Sequence, residues 1–167
     1  MHILMCNDDG ILADGLRQLA TYLSQYYRVT VVAPATEQSA KSHALTTEIP
    51  LKLDAYNGED ENPRLYALTG TPSDCMKFGL SYLLADDMPD LVISGINHGF
   101  NLGSDVLYSG TVSAAMESAF YGIPGLALSV ERYSVERGHE MHPFIHELIE
   151  KIYVNGNFEG LLNVNFP

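Results

Sequence analysis

Four short apolar stretches constrain the fold of this chain more than any other feature. "HILMC" (2–6), "RVTVVAP" (28–34), "DLVISG" (90–95) and "GLALSV" (125–130) are apolar on both alternate sets of positions over most of their length. A strand with apolar side chains on both faces has to be covered on both faces. Between these stretches the apolar period changes to that of a helix. In "ADGLRQLATYLSQY" (13–26), Leu16, Leu19, Ala20 and Leu23 keep the i, i+3, i+4, i+7 spacing of an amphipathic helix. Helical patterns also cover 72–84, 111–121 and 142–154, and "LLNVNF" (161–166) reads as a last strand. Strand–helix–strand units of this kind are parallel and right-handed. The chain is therefore expected to be α/β: a doubly wound, mostly parallel sheet with helices on both faces, Rossmann-like in plan. "DAYNGEDENPR" (54–64) is acidic and rich in turn residues, and reads as an exposed loop between extended segments at 48–53 and 64–69. There are no repeats or low-complexity runs, and 167 residues suffice for one domain, 1–167, with its own core.

Charge and cysteines narrow the function. A formal net charge of −12 gives no field to attract a nucleic-acid polymer or an anionic membrane. A small phosphorylated ligand stays compatible, because it needs only local compensation. No apolar run reaches bilayer length, and Met1 leads into a strand pattern without a charged leader; a cytoplasmic protein is expected. Cys6 and Cys75 lie in expected core elements, outside any CxxC or His/Cys cluster, which argues against a disulfide framework or structural zinc.

In open α/β sheets ligands bind outside the carboxyl ends of the strands. Three loops should meet there. The first carries Asp8 and Asp9 in "CNDDGIL"; the second, "ATEQSAKSHALTT" (35–47), carries Ser39, Ser42, His43 and Thr46. The third, "SGINHGFNLGSDVLYSGTVSAA" (94–115), carries Asn97, His98, Asn101, Asp105, Ser109 and Thr111 among four glycines. Two adjacent carboxylates at a buried edge repel each other and lose hydration, and a hard divalent cation offsets both costs. Asp8, Asp9, Ser39 and Asn97 supply the oxygen donors that Mg²⁺ or Mn²⁺ favours. Asn-Asp-Asp-Gly is equally a good turn sequence, and that reading stays open beside the first. Ser109, Gly110 and Thr111 open a helix of small residues, which places N–H groups and two hydroxyls at a positive helix end; ordinary N-capping explains the same residues and is compatible with anion binding. His43 and His98 are candidate proton donors but read as polar loop residues, and Lys41 as a solvated lysine. His139, His142 and His146 read as solvated on a surface helix, since no HExxH pattern accompanies them. "LTGTPSDC" (68–75) reads as a strand-to-helix turn with Pro72 near the first helical position.

Taken in order, "NDDGI", "VVAP" with its following serine, "GTPSDC", "PDLVISGINHGFNLG", "YSGTVSAAMES" and "LLNVNFP" closely resemble the SurE family of metal-dependent 5′-nucleotidases, over essentially the whole chain. The resemblance implies one divalent cation per subunit on Asp8, Asp9, Ser39 and Asn97, with Asp8 and Asp9 catalytic. It implies phosphate contacts from Asn101, Ser109, Gly110 and Thr111, and nucleoside 5′-monophosphates as substrates, with 3′-monophosphates and short polyphosphate as further ones. It also implies a homodimer or homotetramer. There are two departures. Ala40 stands where the family usually has glycine after the metal-binding serine; if that position needs φ > 0, Ala40 costs about 1 kcal/mol. Family members also continue past the "NVNxP" segment into a C-terminal extension, whereas this chain stops at Pro167. A receiver-type signalling domain shares the acidic pair, but it needs an aspartate ending the third strand and a lysine ending the fifth; "VISGIN" and "LALSVER" offer neither. A non-catalytic nucleotide- or phosphate-binding module, or an inactive truncated form, is the remaining alternative.

Overall fold

The computed structural model describes residues 1–58 and 60–167. Among the described residues seven strands form one sheet: β1 (His2–Cys6), β2 (Arg28–Pro34), β3 (Leu53–Ala55), β4 (Arg64–Leu68), β5 (Leu91–His98), β6 (Gly125–Val130) and β7 (Leu161–Phe166). Their order is β3-β4-β2-β1-β5-β6-β7. All pairings are parallel except that of β3 with β4. This bears out the doubly wound α/β expectation, with a three-residue antiparallel strand closing one edge. The extended segment expected at 48–53 contributes only its last residue to β3. Within the 54–64 loop, Glu59 lies outside the described residues.

The apolar runs fold this way because both faces are used. Ile3 and Met5 of β1 face one cluster with Leu16, Leu19 and Leu23 of α1 (Asp14–Leu23) and Met141, Ile145 and Ile149 of α4 (Val135–Ile149). Leu4 and Cys6 face the other, with Cys75 and Met76 of α2 (Pro72–Phe78) and Ala114 of α3 (Gly110–Glu117). Burying a large aliphatic side chain contributes about 1.5–3 kcal/mol, so these two layers set strand register. Cys6 and Cys75 are buried free thiols. Among the described residues no helix is long and apolar enough to cross a membrane.

Several helical ends differ from the sequence reading. The pattern at 72–84 is α-helical only to Phe78 and continues as a π-helical turn, Gly79–Leu83. The one at 111–121 tightens into a 3₁₀ turn, Ser118–Tyr121. The last helix begins at Val135, not 142, with the Ser134 hydroxyl accepting the Arg137 N–H at its start. Pro143 therefore lies inside this helix rather than near its first turn. Packing overrides the lost hydrogen bond, because Gly138, Met141, His142, Ile145 and Ile149 form one buried stripe.

That stripe corrects a second expectation. His142 is not solvated: it is 3% exposed, its ring centroid is 5.3 Å from that of Tyr22, and its Nε2 has no hydrogen-bond partner. Burial first, and the His139 charge second, push its pKa down to about 4. The folded protein therefore favours the neutral ring, whereas the unfolded chain takes up a proton near pH 6.5. Its contribution is complete above pH 6.5 and is lost as pH falls towards 4. His142→Leu should accordingly be more acid-resistant than the parent. The difference in unfolding free energy between the two should grow by about 2–3 kcal/mol between pH 7 and pH 4, read from urea melts at each pH. A pH-independent difference would remove this account. Comparing the two chains matters because Asp8 and Asp9, described below, titrate with the opposite sign.

Candidate active site

From β1 the chain winds outward through β2 to β4; it then crosses to β5 and winds the other way through β6 to β7. The winding reverses between β1 and β5, and a crevice opens at such a switch point. Asp8 and Asp9 follow β1, and Asn97 and Asn101 lie at and just after the end of β5, so both loops border that crevice.

The first loop is a turn that carries two carboxylates. Asn7 closes it: its Nδ2 donates to the Gly10 carbonyl at 3.2 Å, and its Oδ1 accepts the Gly10 N–H at 3.0 Å. Gly10 has φ +102°, a conformation that favours glycine. This Asx-type closure turns Asp8 and Asp9 back over the strand ends. Asp8 is 5% exposed, and its Oδ1 accepts the Thr111 hydroxyl at 2.6 Å. Burial raises its pKa while that hydrogen bond works against the rise. Asp9 is pushed up to about 6, by burial first, then by the charges of Asp8 and Glu37; His98 opposes this. Both carboxylates are thus held where their own charge is disfavoured, as expected of groups awaiting a cation.

The second loop is tied to everything around it. Gln38 N–H donates to the Asp8 carbonyl at 2.7 Å, Ser42 N–H to Tyr108 at 3.2 Å, and the Ser42 hydroxyl to Leu107 at 2.9 Å. His43 is not a free loop histidine: its Nε2 is 2.5 Å from Oε1 of Glu117, a buried carboxylate in the last turn of α3. Thr46 reaches both oxygens of Asp74, and Thr71 caps α2 while donating its hydroxyl to Ala44. Ser39 is exposed at the crest of this loop, and its hydroxyl donates to Glu37 at 2.8 Å. Its oxygen lone pairs stay available.

Ala40 has φ +57° and Ser42 φ +53°, the left-handed region that the missing glycine implied. Ala40→Gly should raise the unfolding free energy by about 1 kcal/mol, seen as a higher urea midpoint at unchanged slope. No change would mean that the loop relaxes around Ala40.

The third loop supplies one amide and one helix end. Asn97 Nδ2 donates to the Gly99 carbonyl at 2.7 Å; a carbonyl only accepts, so Oδ1 is the end left free. α3 starts at Gly110, where the Ser109 hydroxyl accepts the Val112 N–H at 3.1 Å. The first N–H groups of a helix have no carbonyl within it to bond, and those of Gly110 and Thr111 open this one. Thr111 has a second task, since its hydroxyl proton goes to Asp8. The acidic turn and the helix start are in contact: a Cβ on Gly110 would lie 2.9 Å from Cβ of Asp8. Asn101, 6% exposed, donates from Nδ2 to the Ser129 hydroxyl at 2.8 Å.

Among the described residues no group of three or more His, Cys, Asp and Glu side chains is arranged to hold a metal ion. The donor set of two carboxylates, one hydroxyl and one free amide oxygen suits a hard cation completed by water rather than zinc. Sequence reasoning did not find Glu37, the His43–Glu117 pair or the partners of Asn101. All three depend on contacts, to side chains or to backbone, that sequence order does not reveal.

Fold and edge together define a doubly wound α/β protein whose switch-point edge sets an acidic turn against a helix start. A family model described as "Survival protein SurE" matches residues 3–167, and the chain belongs to the SurE family. It is 50% identical over 168 residues to the 5′-nucleotidase SurE of Thermoanaerobacter sp. (strain X514), covering 100% of this chain and 66% of that one. Its identity to the 5′-nucleotidase SurE of Thermosipho africanus is 47%, covering 65% of that protein. The crystal structure of the SurE protein from Aquifex aeolicus superposes with a TM-score of 0.85 at 36% identity, over 100% of this chain and 67% of that one. The chain thus spans just under two thirds of the length of these curated relatives.

Proposed function

We propose that this chain is a metal-dependent phosphomonoesterase that hydrolyses nucleoside monophosphates to nucleoside and inorganic phosphate. The observation that carries this reading is the direct contact between Asp8 and the start of α3, through the Thr111 hydrogen bond and the close approach of Gly110. It sets a cation-type acidic pair beside an anion-type helix end at the switch point. The naming of the relatives as 5′-nucleotidases supports it.

Asp8, Asp9, Ser39 and Asn97 would hold one divalent cation, Mg²⁺ or Mn²⁺. When bound, such an ion neutralises phosphoryl oxygens and makes a bound water more acidic. The chain's own residues do the rest. Gly110 and Thr111 present N–H groups, and the helix dipole, to the remaining phosphate oxygens, where charge accumulates in the transition state. Asn101, held through Nδ2 by the Ser129 hydroxyl, would contribute its amide as a further phosphate contact. Asn97 is fixed by Gly99 and Asp8 by Thr111, so neither has to reorganise as the phosphate arrives. Water attacks phosphorus in line with the bond to the nucleoside oxygen; that bond breaks, the leaving oxygen takes up, in net terms, a proton of the attacking water, and nucleoside and inorganic phosphate are released.

The single continuous sheet supports reading 1–167 as one domain. Exposed Leu102, Leu107, Tyr108 and Phe120 around α3 support a dimeric or tetrameric assembly, and the composition supports a cytoplasmic location. The test is phosphate release from a panel of nucleoside 5′- and 3′-monophosphates with Mn²⁺, with Mg²⁺ and with EDTA. Turnover that needs the cation is expected. A folded chain that releases no phosphate with either ion would make it a binding module instead.

A further inference from the structure

The last strand holds a pair of asparagines that the proposed chemistry does not use. Asn163 and Asn165 lie two apart on β7, so their side chains leave the same face of the sheet. Both reach the backbone of one residue more than sixty positions earlier. Asn165 Oδ1 accepts the Asn101 N–H at 2.8 Å, and Asn165 Nδ2 donates to the Asn101 carbonyl at 3.3 Å. Asn163 Nδ2 donates to the same carbonyl at 2.8 Å. Asn165 thus treats Asn101 as a neighbouring strand would, with one amide reading both its N–H and its C=O. The two asparagines also touch each other, Nδ2 of Asn165 lying 3.4 Å from Oδ1 of Asn163.

This matters because the loop is otherwise anchored only ahead of Asn101, where the Gly99 N–H donates to the Val130 carbonyl at 2.8 Å and the Gly99 carbonyl accepts Asn97 Nδ2 at 2.7 Å. Beyond it, Gly103 has φ +55°, and a Cβ there would meet nothing within 4 Å. The Asn101 backbone thus takes its anchorage from β7, with a conformationally permissive glycine two residues on. The bond from Asn101 Nδ2 to Ser129 Oγ fixes the side chain only relative to β6. A hydroxyl both donates and accepts, so Ser129 does not dictate which end of the amide faces the crevice.

We propose that Asn163 and Asn165 are positioning residues that fix Asn101 for the phosphate. They clamp its backbone so that its amide is already in place before the ligand binds. The proposal rests on the reading of Asn101 as a phosphate contact. An ordering role of this kind shows in anion affinity, because a loose loop has to be immobilised as the anion binds. The cation ligands Asp8, Asp9 and Ser39 lie on other loops, and Asn97 keeps its own bond to the Gly99 carbonyl, so the cation half does not depend on the clamp.

The test compares the parent chain, Asn163→Ala/Asn165→Ala and Val164→Ala. Val164 lies between the two asparagines on the opposite face and packs into the α1/α4 core, so its truncation weakens β7 without touching Asn101. The readouts are the dissociation constant of inorganic phosphate by calorimetry in the presence of Mn²⁺, Mn²⁺ affinity by electron paramagnetic resonance, and KM against kcat for a nucleoside monophosphate. The double variant should bind phosphate about 10-fold more weakly and raise KM by a similar factor, each equivalent to about 1.4 kcal/mol. Its Mn²⁺ affinity should stay within about twofold. Val164→Ala should lower the melting temperature and leave both affinities as in the parent. Phosphate affinity unchanged in a folded double variant, or phosphate and Mn²⁺ affinity falling together in both variants, overturns the proposal. A parent chain that binds phosphate without turning over contradicts the esterase reading alone, and the clamp is then still decided by the phosphate arm. A parent that binds no phosphate overturns both.

Discussion

Asp9→Asn should unfold at a higher temperature than the parent chain while releasing phosphate on the order of 10³-fold more slowly. The two effects have one cause. Asp9 sits beside Asp8 and within the field of Glu37, and its carboxyl is pushed up to about 6 from an unfolded value near 4. A raised carboxyl pKa means that the ionised form is less stable in the folded protein than in the unfolded chain. At pH 7 that charge works against folding, and the penalty fades as pH drops through 6 towards 4, where both states become protonated. Asparagine keeps the shape and removes the charge. The gain at pH 7 without divalent cation should be about 1–3 kcal/mol, or several degrees for a chain of this size. It should shrink towards zero at pH 4. Activity should fall on the order of 10³-fold, because a lost cation ligand removes several kcal/mol of transition-state stabilisation. Thermal melts in EDTA at the two pH values, with phosphate release at pH 7, check both parts. An unchanged melting temperature at pH 7 would remove the repulsion account, and retained turnover would remove Asp9 from the site.

The second large effect is expected at a glycine. Gly110→Ala places a Cβ 2.9 Å from Cβ of Asp8 and 3.1 Å from its Oδ2, closer than carbon and oxygen pack. Either α3 withdraws or Asp8 is pushed aside, and in both cases the 2.6 Å bond from Thr111 is lost. Displacements of about 1 Å in a reacting constellation cost on the order of 10²-fold in rate. Stability should change little, since alanine is the better helix former by about 1 kcal/mol and offsets the local strain. Loss of kcat/KM with a nearly parental melting curve is the expected outcome. Full activity would mean that the two halves of the crevice tolerate separation.

Much of this was legible in the residues. β1, β2 and β6 are where their apolar runs placed them, because a strand buried on both faces leaves a compositional mark that needs no partner to be seen; the half-buried β7 also lies at 161–166, as its sequence indicated. The three loops meet at one edge because parallel strands send all their carboxyl ends the same way. The start of α4 and the burial of His142 were not legible. Pro143 looks like the beginning of a helix locally, and only the stripe packed on α1 shows that it lies within one. The hydrogen bonds that orient the site were equally hidden. Thr111 to Asp8, His43 to Glu117 and Asn165 to Asn101 span between 64 and 103 positions, and no short pattern encodes such a pairing. Ala40 is the intermediate case: the absent glycine marked the position, and the positive φ could be argued but not seen.

The parallel pairing of β1 with β5, which joins Ile3 to Leu91, has a consequence for how the chain is made. One of the two neighbours of this central strand emerges almost ninety residues after it. Until then β1 has an open edge, with apolar side chains on both faces, and Asp8 lacks the threonine that holds it. Long-range parallel pairing of this kind folds slowly and leaves adhesive edges exposed meanwhile. The nascent protein should therefore depend on holding factors until residue 98 and the helix after it have left the ribosome, and the crevice should assemble all at once rather than by halves.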